Sequence, residues 1–249
     1  MLSIEKLSFS YGENTILNDV TFDVSEGENT VVLGVNGEGK TTLLRCVCGL
    51  LHPDSGSVRL NGRDITKTSV SVRSKLISYV PQLQHPSDMS VFETVLSGRR
   101  TSFSFLPSGT DKIRAAQALE MMGIGHIAAK RTYEISGGEL RKVSVARALC
   151  SDTKLILMDE PTANLDIGST VKLTETIKKV SAKSGVTFLV TMHDITAASR
   201  FASNYVLMKN GFVADKGGAD ILTPQNIKSV YGVDTEIIKL NGTTVAVPK

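Results

Sequence analysis

Tryptophan is absent from the 249 residues, and cysteine occurs only three times. An odd number of thiols makes no paired disulfide framework, so a small stapled secreted scaffold is excluded. Cys46 and Cys48 stand two apart on an expected helix and point to different faces, which excludes a shared metal; all three thiols read as small core residues. Long apolar runs are also missing. None approaches the ~18 residues needed to span a bilayer, and the opening MLSIEKLSFSYG lacks the apolar stretch of a signal peptide. The chain is therefore expected in the cytosol, with docking on a membrane protein left open. Charge of one sign is not in excess: 28 basic against 25 acidic residues leave +3, too balanced to argue for nucleic acid or an anionic membrane as partner. Repeats and low-complexity linkers do not occur. The length suits one large domain, or one domain with an inserted lobe.

What is present alternates between strand and helix signals. LSIEKLSFS and VTFDV at 20–24 read as strands of an antiparallel N-terminal sheet. TVVLG at 30–34 is short and apolar throughout, as in a parallel sheet covered on both faces. SVRLNG at 57–62, LISYVPQ at 76–82, LILMDE at 155–160 and VTFLVTMH at 186–193 are further strands. From about Leu83 to Cys150 the pattern is helical, so residues 83–150 are expected to form a helical lobe inserted between core segments 1–82 and 151–249. TPQN at 223–226 offers Thr223 as N-cap with Pro224 at the first helical position, and a closing hairpin turns at Asn241 and Gly242.

Two stretches carry chemistry. GVNGEGKT at 34–41 fits G-x-x-x-x-G-K-[ST] between a strand and a helix, the context that makes it a phosphate loop. Gly34, Gly37 and Gly39 let backbone N–H groups face a phosphate, Lys40 reaches the β- and γ-phosphates, and the Thr41 hydroxyl suits Mg²⁺. The expected nucleotide contacts are Gly34, Val35, Asn36, Gly37, Glu38, Gly39, Lys40, Thr41 and Thr42. In LILMDE, Asp159 and Glu160 place two carboxylates at the end of a buried strand, an expensive pair unless a cation compensates. Mg²⁺ held by Asp159 through water leaves Glu160 to orient or deprotonate an attacking water.

SGGE at 136–139 poses a different problem. Ser136 with Glu139 three residues on has the spacing of a capping box, and Leu140, Val143, Ala146 and Cys150 follow at helical spacing. The cap explains Ser136 and Glu139 but not Gly137 and Gly138, since each glycine costs a helix roughly 1 kcal/mol relative to alanine. Bare N–H groups at a helix start attract an anion, so a phosphate is the expected visitor.

Taken in order, the phosphate loop, SGGE, LILMDEP, TANLD and TMHD resemble the ATP-binding cassette ATPases over nearly the whole chain. The resemblance implies an α/β fold: a RecA-like P-loop core with an antiparallel β subdomain and an inserted α-helical subdomain. It implies ATP and Mg²⁺, and a head-to-tail homodimer in which Ser136, Gly137, Gly138 and Glu139 close over the γ-phosphate held by the partner. Tyr11 is similar to the aromatic that stacks on adenine, against the alternative of a buried strand tyrosine. Gln82 resembles the hinge glutamine touching Mg²⁺ and the attacking water, against a plain polar residue at a strand end. His193 resembles the switch histidine that contacts the γ-phosphate and steadies Glu160, against a satisfied core histidine. Asp166 resembles the loop that signals across the dimer.

Two positions depart from the family pattern. Glu139 stands where glutamine is commonest, and the cap works with either. Glu38 stands where a small residue is usual, and its carboxylate must point away from a triphosphate or weaken its binding. The resemblance further implies a subunit on the cytoplasmic face of the membrane whose helical lobe docks a permease, with an external binding protein acting indirectly. Val91, Val95 and Leu96 would form an apolar groove wall with Arg99 and Arg100 at its rim, unless those apolar residues only pack the lobe. SVFETVLSGRR and the tail from HDITAAS through ILTPQNIKSVYGV are similar to cassettes that energise uptake of iron chelates, haem and cobalamin, so a ferric siderophore importer is expected. Zinc or manganese import is the alternative within transport; a soluble cassette ATPase of iron–sulfur assembly or DNA repair is the alternative outside it.

Overall fold

Strands with no polar alternation persist only where both faces are covered, and the architecture provides that cover. The computed structural model describes residues 1–101, 106–240 and 242–249. In chain order, β1 (Leu2–Tyr11), β2 (Asn14–Val24) and β3 (Asn29–Leu33) lead into α1 (Lys40–Cys48). Next come β4 (Ser55–Leu60), β5 (Arg63–Asp64), α2 (Val70–Arg73) and β6 (Ile77–Val80). The segment after β6 holds α3 (Val91–Leu96), α4 (Gly109–Met121) and α5 (Gly137–Cys150). The chain continues with β7 (Leu155–Asp159), α6 (Ile167–Ser184), β8 (Thr187–Met192), α7 (Ile195–Phe201), β9 (Asn204–Lys209) and β10 (Phe212–Gly217). It closes with α8 (Pro224–Tyr231), β11 (Thr235–Leu240) and β12 (Thr243–Pro248).

The main sheet has the order β10-β9-β3-β8-β7-β6, parallel except for β10 at one edge. Its central strands β3, β7 and β8 are buried at every residue. Alternate side chains feed two cores: Val31, Ile156 and Val190 face one, Val32, Leu157 and Leu189 the other. The second core is closed by α1 and by the antiparallel sheet β2-β1-β4-β5. The α/β core, the antiparallel β subdomain and the helical insertion are therefore all present.

Several expectations need correction. The second strand begins at Asn14, not residue 20, because register shifts break its alternation and hide its first half. The thiols, by contrast, are the core residues expected: Cys46, Cys48 and Cys150 are free and buried, and α1 is covered almost all round. Burial pushes the Cys46 thiol up to about 12 and the Cys150 thiol up to about 11, in keeping with inert core residues. Val91 and Val95 are fully buried and pack the lobe, so they form no groove wall. Arg99 is no rim residue either: its Nε pairs with the buried Asp111 at 2.9 Å, its own side chain is largely covered, and it also donates to the Ser151 carbonyl. Asp111, which accepts from Ser108 and Arg99, is held down at about 2. Of the closing turn, Gly242 has φ 76° and Leu240 pairs with Thr243; Asn241 lies outside the described residues.

One interior charge has no marker in the sequence pattern. Arg73, fully buried, donates to the carbonyls of Cys46 and Val47 at 2.8 and 3.0 Å and also to the carbonyl of Thr66. It thereby satisfies the Val47 carbonyl at the C-terminus of α1 and adds a second donor to the Cys46 carbonyl, which the Gly49 N–H already reaches at 3.1 Å; a cation there also suits the helix dipole. Replacing Arg73 with Leu should remove the guanidinium bonds to the Val47 and Thr66 carbonyls and cost about 3 kcal/mol. Thermal unfolding followed by circular dichroism should then show Tm lower by roughly 6–12 °C; a shift under about 2 °C would mean that water satisfies the helix end equally well.

Candidate active site

In open parallel sheets the loops after the strands' carboxyl ends form the ligand crevice. Four such loops meet here: residues 34–39 after β3, Gln82 after β6, Asp159 and Glu160 at the end of β7, and His193 after β8. The first three border a cleft of about 340 Å³ whose wall includes Ile16, Asn36, Lys40, Thr42, Gln82 and Glu160, while His193 reaches Glu160 from beside it.

The phosphate loop is shaped from within. Gly39 caps α1 in the left-handed region (φ 87°) with no side-chain cap, leaving the first N–H groups of the helix bare. A Cβ at Gly34 would lie 2.7 Å from the Met208 carbonyl oxygen, so β9 admits nothing larger there. Lys40 is buried, and its Nζ donates to the carbonyls of Gly34 and Val35 at 2.8 and 2.9 Å. Burial lowers its pKa, against the opposing pull of the Glu160 and Asp159 carboxylates. Glu38 points out of the loop: its carboxylate accepts from the Asn210 N–H in the β9–β10 turn.

Glu160 is the meeting point. The strand expected over 155–160 stops one residue short at Asp159, because Glu160 adopts φ 42° and its N–H turns to the hydroxyl and carbonyl of Thr191 at 3.0 and 3.2 Å. Its carboxylate lies 3.7 Å from Lys40 Nζ, accepts from Gln82 Nε2 at 3.2 Å, and lies 3.4 Å from His193 Nδ1. The His193 side chain is 51% exposed, which excludes a satisfied core histidine. Tyr11, 48% exposed at the end of β1 and packed edge-on against Phe9 at 4.8 Å, is no buried strand tyrosine. Asp159 accepts from Thr41 Oγ1 at 2.9 Å and Thr191 Oγ1 at 2.7 Å. A hydroxyl and a carboxylate this close, with the Gln82 amide in the same cleft, form the kind of hard-oxygen set that suits Mg²⁺, which takes few protein ligands.

Ser136 and Glu139 form the expected capping box, with Ser136 Oγ accepting from the Glu139 N–H and donating to its carboxylate at 2.7 Å. Those bonds hold the Glu139 pKa low. A Cβ at Gly137 would meet nothing within 4 Å, and one at Gly138 only Ser169 at 3.7 Å, so this chain's own packing does not demand either glycine. Asp166 caps α6 by accepting from the Ser169 N–H at 2.9 Å. Two further contributors lie outside the motifs. Tyr79 donates to Asp159 at 3.3 Å, and burial together with that carboxylate pushes its phenol up to about 12. Arg141, from α5, donates to the Gln82 carbonyl at 2.7 Å and so ties the helix begun by SGGE to the cleft. Neither has a sequence period that marks it.

With this geometry in place, comparison decides the family: the ABC transporter family model matches residues 17–163. The chain belongs to the ABC transporter family. This cassette is 36% identical to the uncharacterised ABC transporter ATP-binding protein MJ0089 of Methanocaldococcus jannaschii, over 100% of this chain and 98% of that one. It is 33% identical to the iron(3+)-hydroxamate import ATP-binding protein FhuC of Bacillus subtilis, over 95% and 90%, and also 33% to the phosphonates import ATP-binding protein PhnC of Halobacterium salinarum, over 96% and 86%. Among solved structures, an inward-facing transporter assigned to the metal-chelate type superposes with a TM-score of 0.87 at 28% identity, covering 100% of this chain and 96% of that one. The cassette is accordingly an ATPase subunit.

Because Glu38 turns its charge toward Asn210, replacing it with Ala should change the ATP Kd less than about threefold while costing about 1 kcal/mol of stability. Fluorescent-nucleotide titration and thermal unfolding check the two halves. A tightening of about tenfold or more would show the carboxylate facing the phosphates.

Proposed function

We propose that this cassette hydrolyses ATP as one half of a head-to-tail homodimer and so drives import of a metal chelate, a ferric siderophore, through a membrane permease fed by an external binding protein. The observation that carries the hydrolytic half is the convergence of Lys40, Gln82 and His193 on the one carboxylate of Glu160 beside the phosphate loop.

In this reading the N–H groups of residues 34–42 and the Lys40 ammonium hold the phosphates, and Tyr11 offers its exposed ring to the adenine. Thr41, Asp159 and Gln82 hold Mg²⁺, which supplies charge neutralisation at the phosphates when bound. Glu160 takes the proton of the attacking water, Gln82 and His193 orient its carboxylate, and His193 senses the γ-phosphate. Ser136, Gly137 and Gly138 receive the γ-phosphate bound by the partner, which gives the open space around the two glycines a purpose. Asp166, capping a helix beside Gly138 through Ser169, reports closure across the dimer. Residues 83–150 move as a lobe about Gln82, with Arg141 as the tether. The permease docks on that lobe at the cytoplasmic face; exposed Leu83 and Met89 replace the buried valines as its apolar contact. Among the described residues no helix is long and apolar enough to cross a membrane. The metal-chelate cargo is supported by the likeness to FhuC and to the metal-chelate type structure.

Glu160→Gln should cut kcat by about 10³ or more while ATP binding stays within about threefold, because charge neutralisation remains with Lys40. With ATP the variant should sediment as a dimer; a persistent monomer would contradict the paired-site reading. Deleting the gene should abolish uptake of a labelled ferric siderophore. Loss of zinc, manganese or phosphonate uptake with siderophore uptake intact would overturn the cargo and leave the ATPase reading standing.

A further inference from the structure

The tail of the chain reaches back into the catalytic region. The α8 helix is fixed at both ends: Thr223 caps it by accepting from the Asn226 N–H at 3.2 Å, and Gly232 closes it in the left-handed region at φ 75°. Asn226 adds bonds to Asp215 at 2.7 Å and to the Ile221 carbonyl at 2.8 Å, while Ile227 and Val230 are buried against the main core. A helix held this firmly delivers its last residue, Tyr231, to a defined place. The Tyr231 hydroxyl donates to the backbone carbonyl of His193 at 3.2 Å. The Gly34 N–H approaches the same phenol oxygen, and burial, with the Asp194 carboxylate nearby, pushes its pKa above the ordinary tyrosine range. One phenol thus joins the residue that opens the phosphate loop to the residue whose imidazole lies 3.4 Å from Glu160.

We propose that Tyr231 is a positioning residue: it pins the backbone of His193 against the start of the phosphate loop and so holds the imidazole on the Glu160 carboxylate. This rests on the reading of His193 given above. The side chain of His193 is half exposed, and its Nδ1 lies 3.4 Å from the Glu160 carboxylate. Asp194, next in sequence, spends its carboxylate on capping α7 by accepting from Thr196 and Ala197 N–H groups at 2.8 and 3.0 Å, which fixes the loop on its far side. Tyr231 fixes it on the near side. The C-terminal segment therefore belongs to the catalytic apparatus, although it lies 38 residues beyond His193 in sequence.

The test is a double-mutant cycle in the full chain, read by a phosphate-release assay sensitive enough for residual turnover. Tyr231→Phe removes one hydroxyl and keeps the ring. It should lower kcat about tenfold, with KM for ATP within about twofold and Tm almost unchanged. On a His193→Ala background the same change should lower kcat by less than about twofold, since both act through one imidazole. Unchanged kcat for Tyr231→Phe, or a full further loss on the His193→Ala background, would overturn the proposal while His193→Ala alone still shows its effect. If His193→Ala leaves kcat intact, the reading of His193 fails and the proposal falls with it.

Discussion

Everything in this cleft is arranged around one carboxylate. Glu160 occupies a left-handed conformation that costs a non-glycine residue about 1 kcal/mol or more, and Thr191 holds it there through two bonds to its N–H. That turn aims the side chain away from the strand axis and into the space between Lys40, Gln82 and His193. A carboxylate left in strand geometry would alternate to the opposite face from Asp159 and enter the core. The parallel sheet makes the arrangement possible, because β3, β6, β7 and β8 all end on one side and bring residues far apart in sequence to one edge.

Contiguous features of this site are legible in the amino-acid sequence. The phosphate loop announces itself because its glycines, lysine and hydroxyl are adjacent and follow an apolar strand. The capping box of Ser136 and Glu139 is equally local, and so is the Thr223 and Pro224 start of α8. What the sequence hides is long-range and made by side chains reaching backbone. Arg73 caps a helix whose carbonyls lie 26 and 27 residues earlier, and Arg141 holds the Gln82 carbonyl from 59 residues away. Such bonds leave no period in a sequence. The lobe shows the opposite error: Val91 and Val95 read as a docking wall, but their spacing is that of a helix packing its own neighbours, and they are fully buried.

The departures from the family pattern have local remedies. Glu38 turns to Asn210, which removes its charge from the loop mouth, and Glu139 gives Ser136 a strong acceptor within the cap. The second remedy has a consequence for the site. The Ser136 hydroxyl proton is committed to Glu139 in the single chain, so contact with a partner's phosphate requires that hydroxyl to rotate or to act beside the bare N–H groups of Gly137 and Gly138. On the proposed head-to-tail pairing, each composite site takes its cleft from one chain and its SGGE helix start from the other, so the two half-sites of one chain are each incomplete alone.

Complementation between two defective chains tests that incompleteness most directly. Ser136→Arg spoils only the signature half-site and Lys40→Ala only the phosphate-loop half-site, so each homodimer is dead at both composite sites. In a mixed dimer both lesions fall on the same composite site and the other is intact. Mixing the two inactive proteins should restore hydrolysis to about a quarter of the wild-type rate per chain, on the basis that half the dimers are mixed and each has one working site. A mixture as inactive as its components, with heterodimers present by mass measurement, would contradict catalysis by paired half-sites.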